Sequence, residues 1–161
     1  MLDQSLALAP SGSYIFISAK WEKEFDTDEN FRQNIRELIK KSAKSQARVI
    51  FIGQIPTYEV SPNEARLRLE MISGKADLNL ETDQMYRPVN TFLRQEIDTQ
   101  NLQGNLVFID PVSGLCHGAV CNTFSPNGVP YYIDQGHLTP AGAKAALVDL
   151  NELTRFWRAT N

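Results

Sequence analysis

Two residues with complementary chemistry lie three positions apart, just before a predicted helix near the end of the sequence. Asp134 and His137 belong to the stretch Tyr-Tyr-Ile-Asp-Gln-Gly-His-Leu-Thr-Pro-Ala-Gly-Ala over residues 131–143. A tight turn at Gly136 lets the Asp134 carboxylate reach Nδ1 of the imidazole, which leaves Nε2 to accept a proton from a hydroxyl. The pair could thus orient and supply the base of a serine esterase. The spacing alone is weak evidence, because a surface histidine after a helix-starting aspartate shows it too.

Three short runs of β-branched and aromatic residues predict the strands that must position this pair. They cover residues 14–19, 48–53 and 105–110. Each run is apolar on both faces, as in parallel sheets covered by helices on both sides. Ligands bind such sheets outside the carboxyl ends of the strands, so Lys20, Trp21 and Gln54 are candidate substrate-binding residues. Each has a simpler explanation: solvation for Lys20, packing for Trp21 and the end of a strand for Gln54.

Helices are predicted between and after these strands. Apolar residues recur at helical spacing over residues 31–39 and 85–97. Thr139 and Pro140 supply an N-cap and a first-turn proline for a C-terminal helix. The inward residues of that helix are expected to be Ala143, Leu147, Leu150 and Leu153. Residues 58–82 show only a weak helical pattern and are interpreted as a long excursion that shapes a binding site.

Composition limits the function classes. The 161 residues are 42% hydrophobic and 22% charged, which is enough for a single compact domain with its own core. With 16 Lys and Arg against 19 Asp and Glu, interspersed along the chain, nothing attracts a polyphosphate, so nucleic acid is not an expected partner. No apolar run approaches the roughly 20 residues of a membrane span, and no secretory signal is recognisable at the start.

Four sequence blocks resemble the SGNH hydrolase family. Asp134-x-x-His137-Leu-Thr-x-x-Gly-Ala, opening a helix, is similar to the last block of that family. Residues 14–21, 49–56 and 105–111, the last followed by two cysteines, resemble the SGNH domains appended to acyltransferase-3 membrane proteins. The order and spacing agree from about residue 13 to about residue 150.

The resemblance implies a flavodoxin-like three-layer α/β/α domain with a mostly parallel sheet and a site that forms or cleaves esters. It implies that Asp134 orients the base and that His137 is the base. The substrate would be an O-acyl group of cell-envelope polysaccharide or a small acyl ester, on the periplasmic or extracytoplasmic face of the membrane. An upstream membrane acyltransferase domain is the implied partner in the parent protein, and neither a cofactor nor a metal is expected.

The two cysteines, Cys116 and Cys121, lie five positions apart in a turn-rich segment. The resemblance favours a disulfide between them, which would require an oxidising compartment, and free thiols in a cytosolic loop are the alternative. A zinc site that adds His117 and His137 to the cysteines is less favoured, because it lacks a second ligand pair at the usual spacing. Otherwise, His117 is expected to be exposed and inert.

The serine nucleophile of the family has no counterpart in this sequence. The family carries it in a Gly-Asp-Ser block at the end of its first strand, and no Gly-Asp-Ser occurs here. Ser5 lacks a preceding strand and leaves no room for the elements that should follow it. Ser11, Ser13 and Ser18 precede the first predicted strand or lie within it. The Gly-x-Asn-Asp block of the family is also absent, and residues 19–21 take its place.

We therefore expect residues 1–161 to form the C-terminal two-thirds of an SGNH-type domain that lacks its first strands. The chain alone should be inactive, although its parent protein would be a serine-dependent O-acetyltransferase or esterase. The alternative is a catalytically incompetent SGNH-like remnant or a carbohydrate-binding module. A flavodoxin-like signalling domain is disfavoured, because Asp26 and Asp28 lie at a helix entry rather than at strand ends.

Overall fold

The fold is taken from a computed structural model of the chain. It describes residue 6 and residues 9–21, 25–73, 82–83, 86–118 and 120–147. The chain forms two compact units. One contains the residues up to Gln54 together with Arg87–Ile109, and the other contains Ile55–Tyr86 and Asp110–Leu150.

Seven strands and five helices are present in the described part of the chain. The strands are β1 (Tyr14–Ser18), β2 (Arg48–Ile52), β3 (Thr57–Tyr58), β4 (Thr82–Asp83), β5 (Leu106–Ile109), β6 (Cys116–His117) and β7 (Val120–Cys121). The helices are α1 (Glu29–Ala43), α2 (Pro62–Ser73), α3 (Tyr86–Gln100), α4 (Val112–Leu115) and α5 (Pro140–Ala146).

The first unit is built on a parallel sheet of order β1-β2-β5. The central strand β2 is the most enclosed, since Val49, Ile50 and Phe51 are all fully buried although they point to alternating faces. This continuous burial is the reason for its unbroken apolar sequence. The α/β fold class with a parallel sheet is confirmed, and all three predicted sheet strands are present.

Helices α1 and α3 lie against each other in the first unit. Asp28 caps α1 by accepting a hydrogen bond from the Asn30 backbone N–H. Arg36 of α1 bonds Glu96 of α3 at 3.0 Å and lies over the ring of Phe92. The connections β1-α1-β2 and β2-α3-β5 run in the same direction across the sheet. Right-handed connections of this kind place both helices on the same face, which agrees with the contact between α1 and α3.

Strand β1 is an edge strand among the described residues, and its side chains are only partly covered. Phe16 is 56% exposed and Tyr14 is 40% exposed, whereas Ile17, which points to the other face, is buried. The first strand is thus apolar in sequence without being enclosed on both faces, unlike β2.

The second unit contains the short antiparallel strand pairs β3–β4 and β6–β7 and the helices α2, α4 and α5. The excursion over residues 58–82 is more ordered than its weak pattern indicates, because α2 runs for 12 residues. Pro62 is buried at the start of α2, where a missing backbone N–H removes no helical bond. The apolar pattern of α2 is weak because its apolar residues do not all lie on the buried face: Leu67 and Met71 are 61% and 86% exposed.

The C-terminal helix buries a different face from the one predicted. Gly142 and Ala146 are its buried residues, while Ala143 and Leu147 are only half-buried. The inward stripe predicted from the larger apolar residues was wrong here, since close approach of the backbone selects small residues instead. Leu150 and Leu153 lie outside the described residues. Among the residues described, no helix has the length and apolarity to cross a membrane.

Candidate active site

The segment between Tyr132 and Leu138 forms a closed turn that carries Asp134 and His137. Asp134 Oδ1 accepts hydrogen bonds from the backbone N–H groups of Gly136 and His137, both at 2.9 Å. The Ile133 N–H donates to the His137 carbonyl at 2.7 Å. An aspartate that bonds the backbone two and three residues ahead stabilises such a turn locally. The sequence therefore determines the separation of the two side chains without help from distant residues.

The turn brings the carboxylate of Asp134 against the imidazole of His137. The distance from Nδ1 to Oδ2 is 2.8 Å, and the distance to Oδ1 is 3.0 Å. An ionised carboxylate can only accept, so Nδ1 carries a proton, and in the neutral imidazole Nε2 then keeps its lone pair. The His137 side chain is 81% exposed, which leaves Nε2 accessible to a substrate or a nucleophile.

The same hydrogen bonds keep Asp134 ionised. The backbone N–H of Gly136, the imidazole of His137 and the His137 N–H, in that order, lower the pKa of Asp134 to about 2. The carboxylate is 44% exposed, so solvent screens its charge and the orienting effect comes mainly from the geometry. At neutral pH, Asp134 is an acceptor only, as an orienting residue must be.

Helix α5 begins directly after the turn and anchors it. Thr139 Oγ1 accepts a hydrogen bond from the Gly142 N–H at 3.1 Å and donates one to the Pro130 carbonyl at 2.7 Å. A Cβ atom on Gly142 would lie 2.0 Å from the carbonyl oxygen of Tyr131. The spacing Leu-Thr-x-x-Gly after the histidine thus has a physical reason. Thr139 caps the helix, and Gly142 lies where the helix touches the backbone of Tyr131.

Trp21 and Gln54 come together in the first unit and are buried. Gln54 Oε1 accepts from the Trp21 backbone N–H at 2.9 Å, and Trp21 Nε1 donates to the Ile52 carbonyl at 3.0 Å. The two side chains are 3% and 4% exposed. This burial favours packing over a substrate platform for Trp21. Lys20 is exposed. Substrate binding by Lys20, Trp21 and Gln54 stays a prediction.

Asn90 is a polar residue of the first unit that the sequence analysis did not select. Its Oδ1 accepts from the Gln54 N–H at 2.6 Å, and its Nδ2 donates to the Gln54 carbonyl at 2.9 Å. A Cβ atom on Gly53 would lie 2.7 Å from Asn90 Oδ1, so the absence of a side chain there makes room for the amide. The sequence feature that could have pointed to Asn90 is its place, as a polar residue, within the apolar stripe of α3.

Cys116 and Cys121 are joined in a disulfide, as the family resemblance implies. Cys116 is buried in a cluster with Leu115 and Ala146, and Tyr131 and Leu138 pack against that cluster. The bond removes the two thiolates that the alternative zinc set requires. Nowhere in the described ranges do three or more metal-ligating side chains gather, and His117 is exposed.

Of the serines considered from the sequence, those that the structure describes show no sign of an activated nucleophile. Ser13 donates its hydroxyl to the Pro10 carbonyl at 2.6 Å, and Ser18 is an exposed residue at the end of β1. Ser11 lies in a turn before β1, and Ser5 lies outside the described residues. Neither Ser11 nor Ser18 has the strand-to-helix elbow that exposes an esterase nucleophile.

A comparison with protein families decides the class. The family model for the SGNH domain (fused to AT3 domains) matches residues 2–148. The chain belongs to this SGNH family. The match includes β1, β2, β5 and the Asp134–His137 turn, so the family assignment and the site concern the same part of the sequence.

The fold of this SGNH chain is similar to that of a solved structure, the periplasmic domain of a lipopolysaccharide acetyltransferase from Salmonella ser. Paratyphi A. The TM-score is 0.69 at 16% sequence identity, and the likeness covers 95% of this chain. It covers 60% of that periplasmic domain, so the present chain spans somewhat less than two-thirds of its neighbour. A search of curated proteins finds no match.

Proposed function

We propose that this SGNH chain contributes the general base, His137 oriented by Asp134, of an O-acyl transfer or hydrolysis site. Asp134 fixes the ring of His137, and Nε2 removes the proton from a serine hydroxyl as that oxygen attacks the acyl carbon. The same imidazole then returns the proton to the leaving oxygen. A sugar hydroxyl or water takes the acyl group from the serine in the second half of the reaction.

The observation that carries this proposal is the contact of 2.8 Å between His137 Nδ1 and Asp134 Oδ2, with the opposite ring edge exposed. A histidine that serves the packing of a core would instead be buried and have both ring nitrogens bonded. Here one nitrogen is bonded by a carboxylate and the ring faces solvent. The contact lies in a domain of a family associated with acyltransferases.

The nucleophilic serine and its oxyanion site are proposed to come from SGNH sequence outside these 161 residues. The support is the absence of Gly-Asp-Ser from the sequence, together with a structural neighbour that is longer than the region it shares with this chain. On this proposal, the chain corresponds to the C-terminal two-thirds of an SGNH-type domain, and it has no esterase activity by itself.

The proposed substrate is an O-acyl group of a cell-envelope polysaccharide, and the proposed location is outside the cytoplasmic membrane. Two observations support this. The disulfide between Cys116 and Cys121 is of a kind that persists in oxidising compartments. The structural neighbour is a periplasmic domain of an acetyltransferase for lipopolysaccharide. The family description supports a membrane acyltransferase domain as partner.

A second candidate is a catalytically incompetent SGNH-like domain that binds carbohydrate. The missing Gly-Asp-Ser block favours it, because a base without a nucleophile performs no acyl transfer. The two candidates differ in one respect that can be measured: acyl transfer requires His137 as a base, whereas carbohydrate binding does not require its proton chemistry.

The test compares the two histidines of the chain in the full gene product. We expect His137→Ala to lower O-acetylation of the envelope polysaccharide by about 10²- to 10⁴-fold, the usual contribution of a general base. His117→Ala is the matched control and should leave acetylation unchanged, because His117 is exposed on the β6–β7 hairpin. Acetyl content is measured on extracted polysaccharide by NMR.

Equal acetylation in His137→Ala and wild type would refute the acyl-transfer proposal. Retained polysaccharide binding in that case would support the carbohydrate-binding candidate. The isolated 161-residue chain is assayed separately with p-nitrophenyl acetate. Turnover that depends on His137 there would place a nucleophile within the chain and would overturn the proposal that the serine lies outside it.

A further inference from the structure

The Asp134–His137 turn is closed within itself, yet it is also attached to residues 57–63 of the same unit. The Tyr58 backbone N–H donates to the Gln135 carbonyl at 3.0 Å. Asn63 Nδ2 donates to the Tyr132 carbonyl at 2.7 Å. The Thr57 methyl lies beneath Gly136, where a Cβ atom would be only 3.2 Å away. These contacts determine where the turn lies on its unit.

Asn63 makes the one hydrogen bond among these attachments that depends on a side chain. It is the second residue of α2, so the helix holds its amide in a defined direction. Its acceptor, the Tyr132 carbonyl, lies two residues before Asp134. The bond is partly buried, and a donor removed from such a bond leaves a carbonyl with reduced access to water.

Packing of two aromatic rings supports the same attachment. The rings of Tyr58 and Tyr132 meet edge to face, with centroids 5.0 Å apart and planes at 86°. Neither hydroxyl, within the described part of the chain, has a hydrogen-bond partner, and both are buried. Burial raises the pKa of Tyr58 to about 12, and burial also raises the pKa of Tyr132. The two rings therefore contribute to the attachment through packing.

We propose that Asn63 is a positioning residue for the Asp134–His137 pair, which it holds through the Tyr132 carbonyl. The catalytic consequence of this role rests on the proposed function, whereas the attachment itself does not. Reactions that depend on a directed proton transfer are sensitive to position, and a displacement of about 1 Å lowers rates by about 10²-fold. The bond from Asn63 prevents such a displacement without touching either member of the pair.

The attachment is tested by amide hydrogen exchange in the full gene product. Asn63→Asp replaces the donor by a carboxylate that faces the Tyr132 carbonyl, and Asn63→Ala removes the donor without adding charge. We expect both variants to raise exchange at the Tyr58 and Ile133 amides by about tenfold or more, because both amides donate into the turn. The Val49 amide, which donates to Asn105 in the sheet, serves as the reference.

Asn127→Asp is the matched control, since Asn127 is exposed in the same unit and undergoes the same change of charge. It should leave exchange at Tyr58 and Ile133 unchanged. Unchanged exchange in the Asn63 variants would overturn the proposal. Exchange raised equally at Val49 would also overturn it, because the bond would then stabilise the whole chain rather than the turn.

The catalytic consequence is measured in the full gene product with a soluble acetyl ester. We expect Asn63→Asp to lower kcat by about 10- to 100-fold while KM changes by less than about twofold, the result of misplacing a base without altering substrate contacts. A rise in KM as large as the loss in kcat would contradict a positioning role for Asn63. Amide exchange could be faster in the Asn63 variants while the activity of the full gene product does not depend on His137. That result would refute the proposed function but not the attachment.

Discussion

Replacing Gly142 by alanine tests whether the glycine of the final sequence block is required by close backbone packing. Helix α5 passes so near the preceding segment that a Cβ atom would lie 2.0 Å from the Tyr131 carbonyl oxygen and 2.8 Å from its carbon. Both are backbone atoms and cannot rotate away. The contact is roughly 1.4 Å shorter than the 3.4 Å at which ordinary van der Waals contact begins, so the helix or the segment must move.

Two effects of opposite sign determine the size of the loss. Overpacking in a well-packed region destabilises by about 1–3 kcal/mol, and a backbone obstacle belongs at the upper end of that range. Alanine in place of glycine within a helix stabilises by about 1 kcal/mol, which offsets part of the loss. We therefore expect a net loss of about 2 kcal/mol in the free energy of unfolding. For a chain of this length, that corresponds to a decrease in Tm of about 4–8 °C.

Gly136→Ala is the matched control, because it makes the same change six residues earlier in the chain. A Cβ atom there would lie 3.2 Å from the Thr57 methyl, which belongs to a side chain and can yield by a few tenths of an ångström. We expect its Tm to stay within about 2 °C of the wild type. Thermal and urea unfolding measure both variants. A Gly142→Ala protein as stable as Gly136→Ala would refute the packing explanation.

Two further predictions concern the turn and the disulfide. Because the native pKa of Asp134 is lowered to about 2, its charge stabilises the fold above its unfolded pKa of about 3.9, and this contribution is lost as the pH falls toward 2. Asp134→Asn should thus be less stable than wild type in urea at pH 7, by a margin that shrinks as the pH falls toward 2; a difference independent of pH would contradict this. Replacing Cys116 and Cys121 by serine should lower the free energy of unfolding by about 2 kcal/mol in urea, the value for so short a loop, and an unchanged midpoint would contradict that.

The sequence was sufficient where structure is determined by neighbouring residues. The buried strands β2 and β5 were located to within a residue or two, because a run that is apolar on both faces has few alternatives. The geometry of Asp134 and His137 was also predictable, since all the bonds that form it lie within four consecutive residues. Helix α3 followed in the same way from its apolar stripe.

Contacts between distant residues were beyond the reach of pattern analysis. Asn63 bonds a carbonyl 69 positions away, and Gln54 bonds Asn90 across 36 positions. No local periodicity distinguishes such an asparagine from a solvated one. The role of Trp21 was also open at the level of sequence, because a tryptophan at the end of a strand suits both a binding surface and a core. Its observed exposure of 3% favours the core.

On the proposed function, these two levels of control bear on how His137 is directed at a nucleophile. The bonds among Asp134, Gly136 and His137 close within the turn, so they would form wherever that turn forms and cannot by themselves aim Nε2 at a nucleophile. On the positioning proposal, the direction of Nε2 is set by the attachments to residues 57–63 on one side and by the start of α5 on the other. A homologous chain that keeps Asp-x-x-His but loses the asparagine or the helical glycine should therefore keep the paired side chains and lose the rate. Reciprocally, grafting the four-residue turn onto another scaffold should reproduce the lowered pKa of the aspartate without producing catalysis.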